Sequence, residues 1–170
     1  MAIFISYASE NQQKAESIYN TLLSCEIPCW IASENLRNLG GKEYQIEIAQ
    51  QIKRCEALVI VYSQFAIASN WVNGEITLAF NNQKPIITFF VENIDFAERH
   101  EVMLPQYQVI KMVGGNWDAA INCLRKSLLN ILAKTTEIND IPSKKYKEIA
   151  NMQSPKSGFL FSILRKFLNF

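Results

Sequence analysis

A tryptophan and a glutamate four residues apart, Trp71 and Glu75, stand in the stretch Ser69-Asn70-Trp71-Val72-Asn73-Gly74-Glu75. It follows the apolar run Ala57-Leu58-Val59-Ile60-Val61-Tyr62, which has the character of a central parallel strand. On a helix, residues four apart share one face. One of these side chains can stack on a flat ring while the other meets a sugar or a developing cation. In an open α/β sheet, ligands bind outside the carboxyl ends of the strands, where this stretch begins. The same residue types also have plainer uses: most glutamates are surface carboxylates, and a tryptophan near a helix start often belongs to the core.

Other chemistries find little support. His100 is the only histidine and falls in a loop-like segment, which argues against a Ser-His-Asp triad. Cys25, Cys29, Cys55 and Cys123 lie in or beside apolar elements and lack the close-set histidine or cysteine partners of a zinc site. The expectation is four buried free thiols and no metal.

The elements that must position Trp71 and Glu75 are legible as alternating periods. Ile3-Phe4-Ile5-Ser6-Tyr7 is a short strand covered on both faces. Ser9-Glu10-Asn11-Gln12 has the form of a capping box, and the helix after it buries Ala15, Ile18, Tyr19, Leu22 and Leu23. Pro28 to Ala32 is strand two, and a polar loop from Ser33 to Lys42 contains Gly40-Gly41. A helix from about Glu43 to Arg54 turns Ile48, Ala49, Ile52 and Cys55 inward. Strand three is Ala57 to Tyr62, strand four Pro85 to Val91, and strand five about Gln108 to Met112 after an irregular connection from Glu92 to Pro105. Gly114-Gly115-Asn116 is a turn and N-cap for a helix that buries Ala120, Ile121, Leu124, Leu128 and Ile131.

Strands alternating with helices predict a parallel sheet with right-handed crossovers. Five of them favour a flavodoxin-like three-layer α/β sandwich in the order 2-1-3-4-5, with its switch point between strands one and three. Ser6-Tyr7, the glycine loop and the path to Glu75 converge there.

The 170 residues suit one domain and an appendage. Hydrophobic residues at 49% supply a core, and a net charge of +1 argues against a dedicated nucleic-acid binder. Met1-Ala2 runs straight into a strand-like segment and no apolar stretch spans a bilayer, so a cytoplasmic protein is expected. The domain is expected over 1–134, followed by a polar linker or short helix over 135–158. The amphipathic tail 159–170 suits packing onto the domain, seating in a partner or effector protein, or contact with a membrane surface.

The strings Phe4-Ile5-Ser6-Tyr7-Ala8-Ser9-Glu10, Cys29-Trp30-Ile31-Ala32 and Ser69 to Glu75, continued by Lys84-Pro85-Ile86-Ile87 and Asn116-Trp117-Asp118-Ala119, resemble in order and interval a TIR (Toll/interleukin-1 receptor) domain of the bacterial kind, over about Met1 to Lys134. The resemblance implies the same fold. It also implies an activity, hydrolysis of NAD⁺ at the nicotinamide–ribose bond, giving nicotinamide with ADP-ribose or a cyclised isomer. The family's essential glutamate lies on the helix after strand three, preceded by an aromatic, and Glu75 and Trp71 match it. By the same resemblance Ser6 and Tyr7 contact ribose or phosphate, and Ser33 and Gly41 border the nucleotide. No cofactor beyond NAD⁺ as substrate is implied, and self-association and a setting in antiphage defence are. One departure stands out: where relatives continue with Pro-Arg-Asp after Cys-Trp-Ile-Ala, this chain has Ser33-Glu34-Asn35, in the loop that makes subunit contacts and borders the pocket.

The main alternative is a non-catalytic adaptor acting by TIR–TIR self-association, which an acidic residue at position 75 disfavours. A nucleoside deoxyribosyltransferase also uses a glutamate on such a sheet but lacks the Cys-Trp-Ile-Ala and Ser-x-Trp strings. A response-regulator receiver needs acidic residues where Ser6-Tyr7 and Tyr62-Ser63 stand, and a flavin carrier needs a hydroxyl-rich glycine loop in place of Ala8-Ser9-Glu10.

Overall fold

The computed structural model describes residues 2–35, 41–112 and 115–138. Its elements are β1 (Ile3–Ser6), a 3₁₀ turn (Ser9–Asn11), α1 (Gln12–Ser24), β2 (Cys29–Ile31), α2 (Ala32–Asn35), α3 (Gly41–Arg54) and β3 (Ala57–Tyr62). They continue as α4 (Gln64–Ala68), α5 (Asn70–Asn81), β4 (Ile86–Phe90), α6 (Glu98–Glu101), β5 (Gln108–Lys111) and α7 (Trp117–Ile138). The five strands form one parallel sheet in the expected order, β2-β1-β3-β4-β5.

Every residue of β1, β3 and β4 is buried, because helices cover both faces of the sheet. Successive strand side chains go to opposite faces. Ile3, Ile5, Val59, Val61, Ile87 and Phe89 pack with α1 and α7, whereas Phe4, Leu58, Ile60, Tyr62, Ile86 and Phe90 pack with α3, α4 and α5. The second face carries the site. The edge strand β5 buries only Ile110.

Several local expectations are corrected. Ser9 does not cap α1; its hydroxyl donates to the adjacent Glu10 carboxylate at 3.0 Å, and residues 9–11 form a 3₁₀ turn instead. That turn carries Asn11 inward, where its side-chain oxygen accepts a 2.5 Å hydrogen bond from Ser63. Leu23 is exposed, since the buried stripe of α1 is the narrower set Ala15, Ile18 and Leu22. Ile131 and Ala49 are half-buried; Leu129 and Leu132 do the packing expected of Ile131. Asn116 does cap α7, accepting from the Ala119 N–H at 3.0 Å. Helix α7 runs past Lys134 to Ile138, and the tail 159–170 lies outside the described residues. No described helix is long and apolar enough to cross a membrane.

All four cysteines are free, but only Cys55 is fully buried. Cys25 and Cys29 are half-buried, and Cys123 is exposed because its position on α7 faces away from the sheet. Burial pushes the Cys29 thiol up to about 12 and Cys55 up to about 11. Since the thiolate is the reactive form, a maleimide at neutral pH is expected to label Cys123 first and to leave Cys29 and Cys55 unmodified until the protein unfolds. Peptide mapping of the labelled native protein checks this; early labelling of Cys55 would contradict the packing described.

Candidate active site

The path from β3 to Glu75 is two helices rather than one. Ser63 caps α4, its hydroxyl accepting from the Ala66 N–H at 3.1 Å, and Ser69 caps α5, accepting from the Val72 N–H at 3.3 Å. Each serine satisfies a backbone donor that the helix itself leaves unpaired. The second cap lets the chain restart at Asn70 on a new axis, and this turns Trp71 and Glu75 toward the carboxyl end of β1.

There the Glu75 carboxylate accepts a short hydrogen bond from the Ser6 hydroxyl, buried at the last residue of β1. The side chain of Trp71, whose indole N–H is a donor only, also favours the ionised carboxylate. Glu75 is 7% exposed, so the surface-carboxylate alternative is excluded. Burial pushes its carboxyl up from 4.5 to about 7, against the opposing pull of the Ser6 hydroxyl and the Trp71 side chain. The group therefore changes charge near neutrality.

Glu75 forms part of the wall of a cavity of about 230 Å³, together with Tyr7, Ser9, Ala32, Tyr44 and Trp71. Trp71 is 41% exposed and is not a core residue; it packs at a tilt on Tyr44 of α3, ring centroids 5.7 Å apart. Two aromatic faces thus stand beside one carboxylate. Burial, reinforced by Tyr7 and by Glu75, raises the Tyr44 hydroxyl above its usual range.

The structure brings Ser6, Tyr7, Trp71 and Glu75 together. The Ser6 hydroxyl, expected to contact ribose or phosphate, donates to the Glu75 carboxylate in this structure. Ser33 lies on α2, next to the cavity-lining Ala32, and Gly41 begins α3. Gly40 lies outside the described residues. Tyr44 is the residue the sequence reading missed. Its spacing with Ile48 and Ile52 marks the inward stripe of α3, so continuing that stripe one turn back would have found it.

His100 is not a loop residue. It sits on α6, 3% exposed. The Tyr62 hydroxyl accepts from the Ala97 N–H at 3.0 Å and therefore donates to His100 Nδ1, also at 3.0 Å. That leaves the proton on Nε2, which donates to Asn73 Oδ1 at 2.9 Å, while Asn73 Nδ2 donates to the Ile67 carbonyl at 3.1 Å. Burial, helped by Arg99, lowers the histidine's proton affinity, as this neutral tautomer requires. The network pins α5 at Asn73, midway between Trp71 and Glu75. Among the described residues no cluster of histidine, cysteine or carboxylate groups could hold a metal.

Known proteins agree with this geometry. Residues 3–125 match the TIR domain family. Among solved structures, the TIR domain of the Toll-related receptor TRR-2 from Hydra magnipapillata is similar with a TM-score of 0.59 at 15% identity, covering 76% of this chain and 96% of that one. The CMP N-glycosidase BcmB of Clostridium botulinum gives 0.53 at 16% identity, covering 73% and 97%. A flavodoxin-like domain from Synechococcus gives 0.51 at 12% identity, covering 80% and 99%. These three likenesses speak for the fold. No curated protein matches the chain. With most of the described sheet and its helices inside the matched range, the chain belongs to the TIR domain family.

Proposed function

We propose that this domain hydrolyses NAD⁺ at the bond between nicotinamide and ribose. The observation that carries the reading is Glu75: a buried carboxylate, held by Ser6 with Trp71 beside it, in the wall of a cavity that Trp71 and Tyr44 also line. Nicotinamide leaves as a neutral amine from a cationic ring, so no general acid is required. The sugar carbon becomes oxocarbenium-like, and one carboxylate in a partly dry site stabilises that charge. Ordinary glycosidases need a second carboxyl group to protonate an alkoxide leaving group; among the described residues lining the cavity, Glu75 is the only acid. Trp71 and Tyr44 offer faces for a planar base. An N-glycosidase on a similar fold supports the reaction class.

The cavity is smaller than the roughly 300–1,000 Å³ of pockets that hold drug-sized ligands. It suits a base and its sugar, with the rest of the dinucleotide lying across the open side. Self-association then has a chemical purpose, because a second copy would cover that side. The product is ADP-ribose or a cyclised form of it, and loss of NAD⁺ or release of such a signal fits a part in antiphage defence inside the cell.

The test is nicotinamide release from NAD⁺ across a dilution series of the full chain, with products resolved by chromatography. Specific activity is expected to rise steeply with protein concentration and to be near background in dilute protein. Constant specific activity would remove the assembly requirement. No release at any concentration, including crowded conditions, would sink the enzyme reading in favour of an adaptor.

A further inference from the structure

Gly74 occupies the fifth position of α5, a helix-interior site at which glycine is less stable than alanine. Among the described residues nothing demands it: a Cβ built there meets none of their atoms within 4 Å, and the positive φ that would call for glycine is found at Gly115, not here. The space above Gly74 belongs to a second cavity, of about 190 Å³, between α3 and α5. Ile48, Ile52 and Leu78 form its apolar wall, and the exposed amides of Gln45 and Asn70 stand at its rim. Trp71 and Glu75 line this cavity as well as the first, so the two cavities share these residues as a common wall.

This matters for the reaction proposed above, on which the present inference rests. A base and sugar filling the first cavity cover Glu75 from that side. Hydrolysis still requires a nucleophile at the sugar carbon. We propose that the groove over Gly74 is the acceptor subsite of the reaction and takes water and short alcohols. The acceptor oxygen forms a C–O bond to the anomeric carbon of ribose as the C–N bond breaks. The electron pair of that bond goes to the nicotinamide nitrogen, and the acceptor's proton passes to the Glu75 carboxylate and on to solvent. Glycine at 74 keeps the passage open at the residue beside the carboxylate.

The experiment compares wild type, Gly74→Ala and Gly74→Leu as full chains, with NAD⁺ turned over in buffer and in buffer containing methanol. Gly74→Ala adds one methyl group to open space and is expected to raise Tm by roughly 2 °C, which shows that substitution at this position does not harm the fold. Gly74→Leu is expected to lower kcat by about tenfold or more, a steric exclusion of ordinary size. KM for NAD⁺ should stay within about twofold, because donor binding is untouched. The ratio of methyl ADP-ribose to ADP-ribose should fall as well, the larger acceptor losing more. A wild type that turns over beside a Gly74→Leu variant of equal kcat and equal partition overturns the acceptor groove alone. A raised KM at unchanged kcat assigns the groove to donor binding and also overturns it. Absence of nicotinamide release from the wild type removes the enzymatic reading and this inference together.

Discussion

Replacing Glu75 by Gln is expected to leave a folded domain that releases nicotinamide from NAD⁺ roughly 10²–10³-fold more slowly than the wild type, the usual effect of removing one preorganised electrostatic group. The amide keeps the shape of the side chain. Its NH₂ can donate to the Ser6 oxygen, so the hydrogen bond to Ser6 survives while the negative charge is lost. The loss therefore reports on charge and not on architecture. Because the carboxyl titrates near 7, wild-type kcat/KM should fall about tenfold for each pH unit below that point, as the ionised fraction falls. Residual turnover in Glu75→Gln should lack this limb. Product chromatography across pH 5 to 9 checks both statements, and equal turnover in the two proteins would remove Glu75 from the chemistry.

How much of this was visible beforehand varied with the range of the interactions involved. Strand β3 is a case of full agreement: six apolar residues, Ala57–Tyr62, are all buried because both faces are covered. Continuous apolar runs with helical patterns between them also dictated the strand order. Features set by distant partners were hidden. His100 looked like a loop residue because its burial depends on Tyr62, 38 positions away, and on Asn73, 27 away. Ser9 looked like a helix cap, but the chain there is drawn in by Asn11 meeting Ser63 across 52 positions. The break between α4 and α5 has no glycine or proline to announce it; Ser63 and Ser69 mark it only to a reader who allows two caps six residues apart.

The site followed the same rule. Trp71 and Glu75 were found from helical spacing, and Tyr7 from its place at the end of a strand, since short-range geometry positions each of them. Ser6 was placed correctly at the β1 edge, but its hydrogen bond to Glu75, 69 positions away, is one that no local pattern discloses. Tyr44 escaped because its stripe was begun at Ile48, although the period extends one turn earlier. Ser33 and Gly41 came from the resemblance, on either side of a stretch whose residues 36–40 are outside the described structure.

The same buried carboxyl on which the proposed reaction rests should weaken the fold at alkaline pH. Its folded-state value is raised, from 4.5 to about 7. Between those two values the native state holds a proton that the unfolded state has released, so stability falls as pH rises through this window. Below 4.5 both states are protonated and the penalty is absent; above 7 both are ionised and it is fully developed. At ~1.36 kcal/mol per pKa unit, the penalty above pH 7 is about 3 kcal/mol. Gln at position 75 never ionises and escapes it. Glu75→Gln is therefore expected to match the wild type in Tm near pH 4.5 but to exceed it by roughly 6–12 °C at pH 8, for a domain of this size. Paired thermal melts at the two pH values measure the difference directly. A Tm gap that is the same at both would mean that the carboxylate is solvated in the folded protein, and with it would go the dry site on which the proposed stabilisation of an oxocarbenium depends. The gap is thus a measure, without substrate, of how strongly the fold opposes ionisation of the carboxyl it buries.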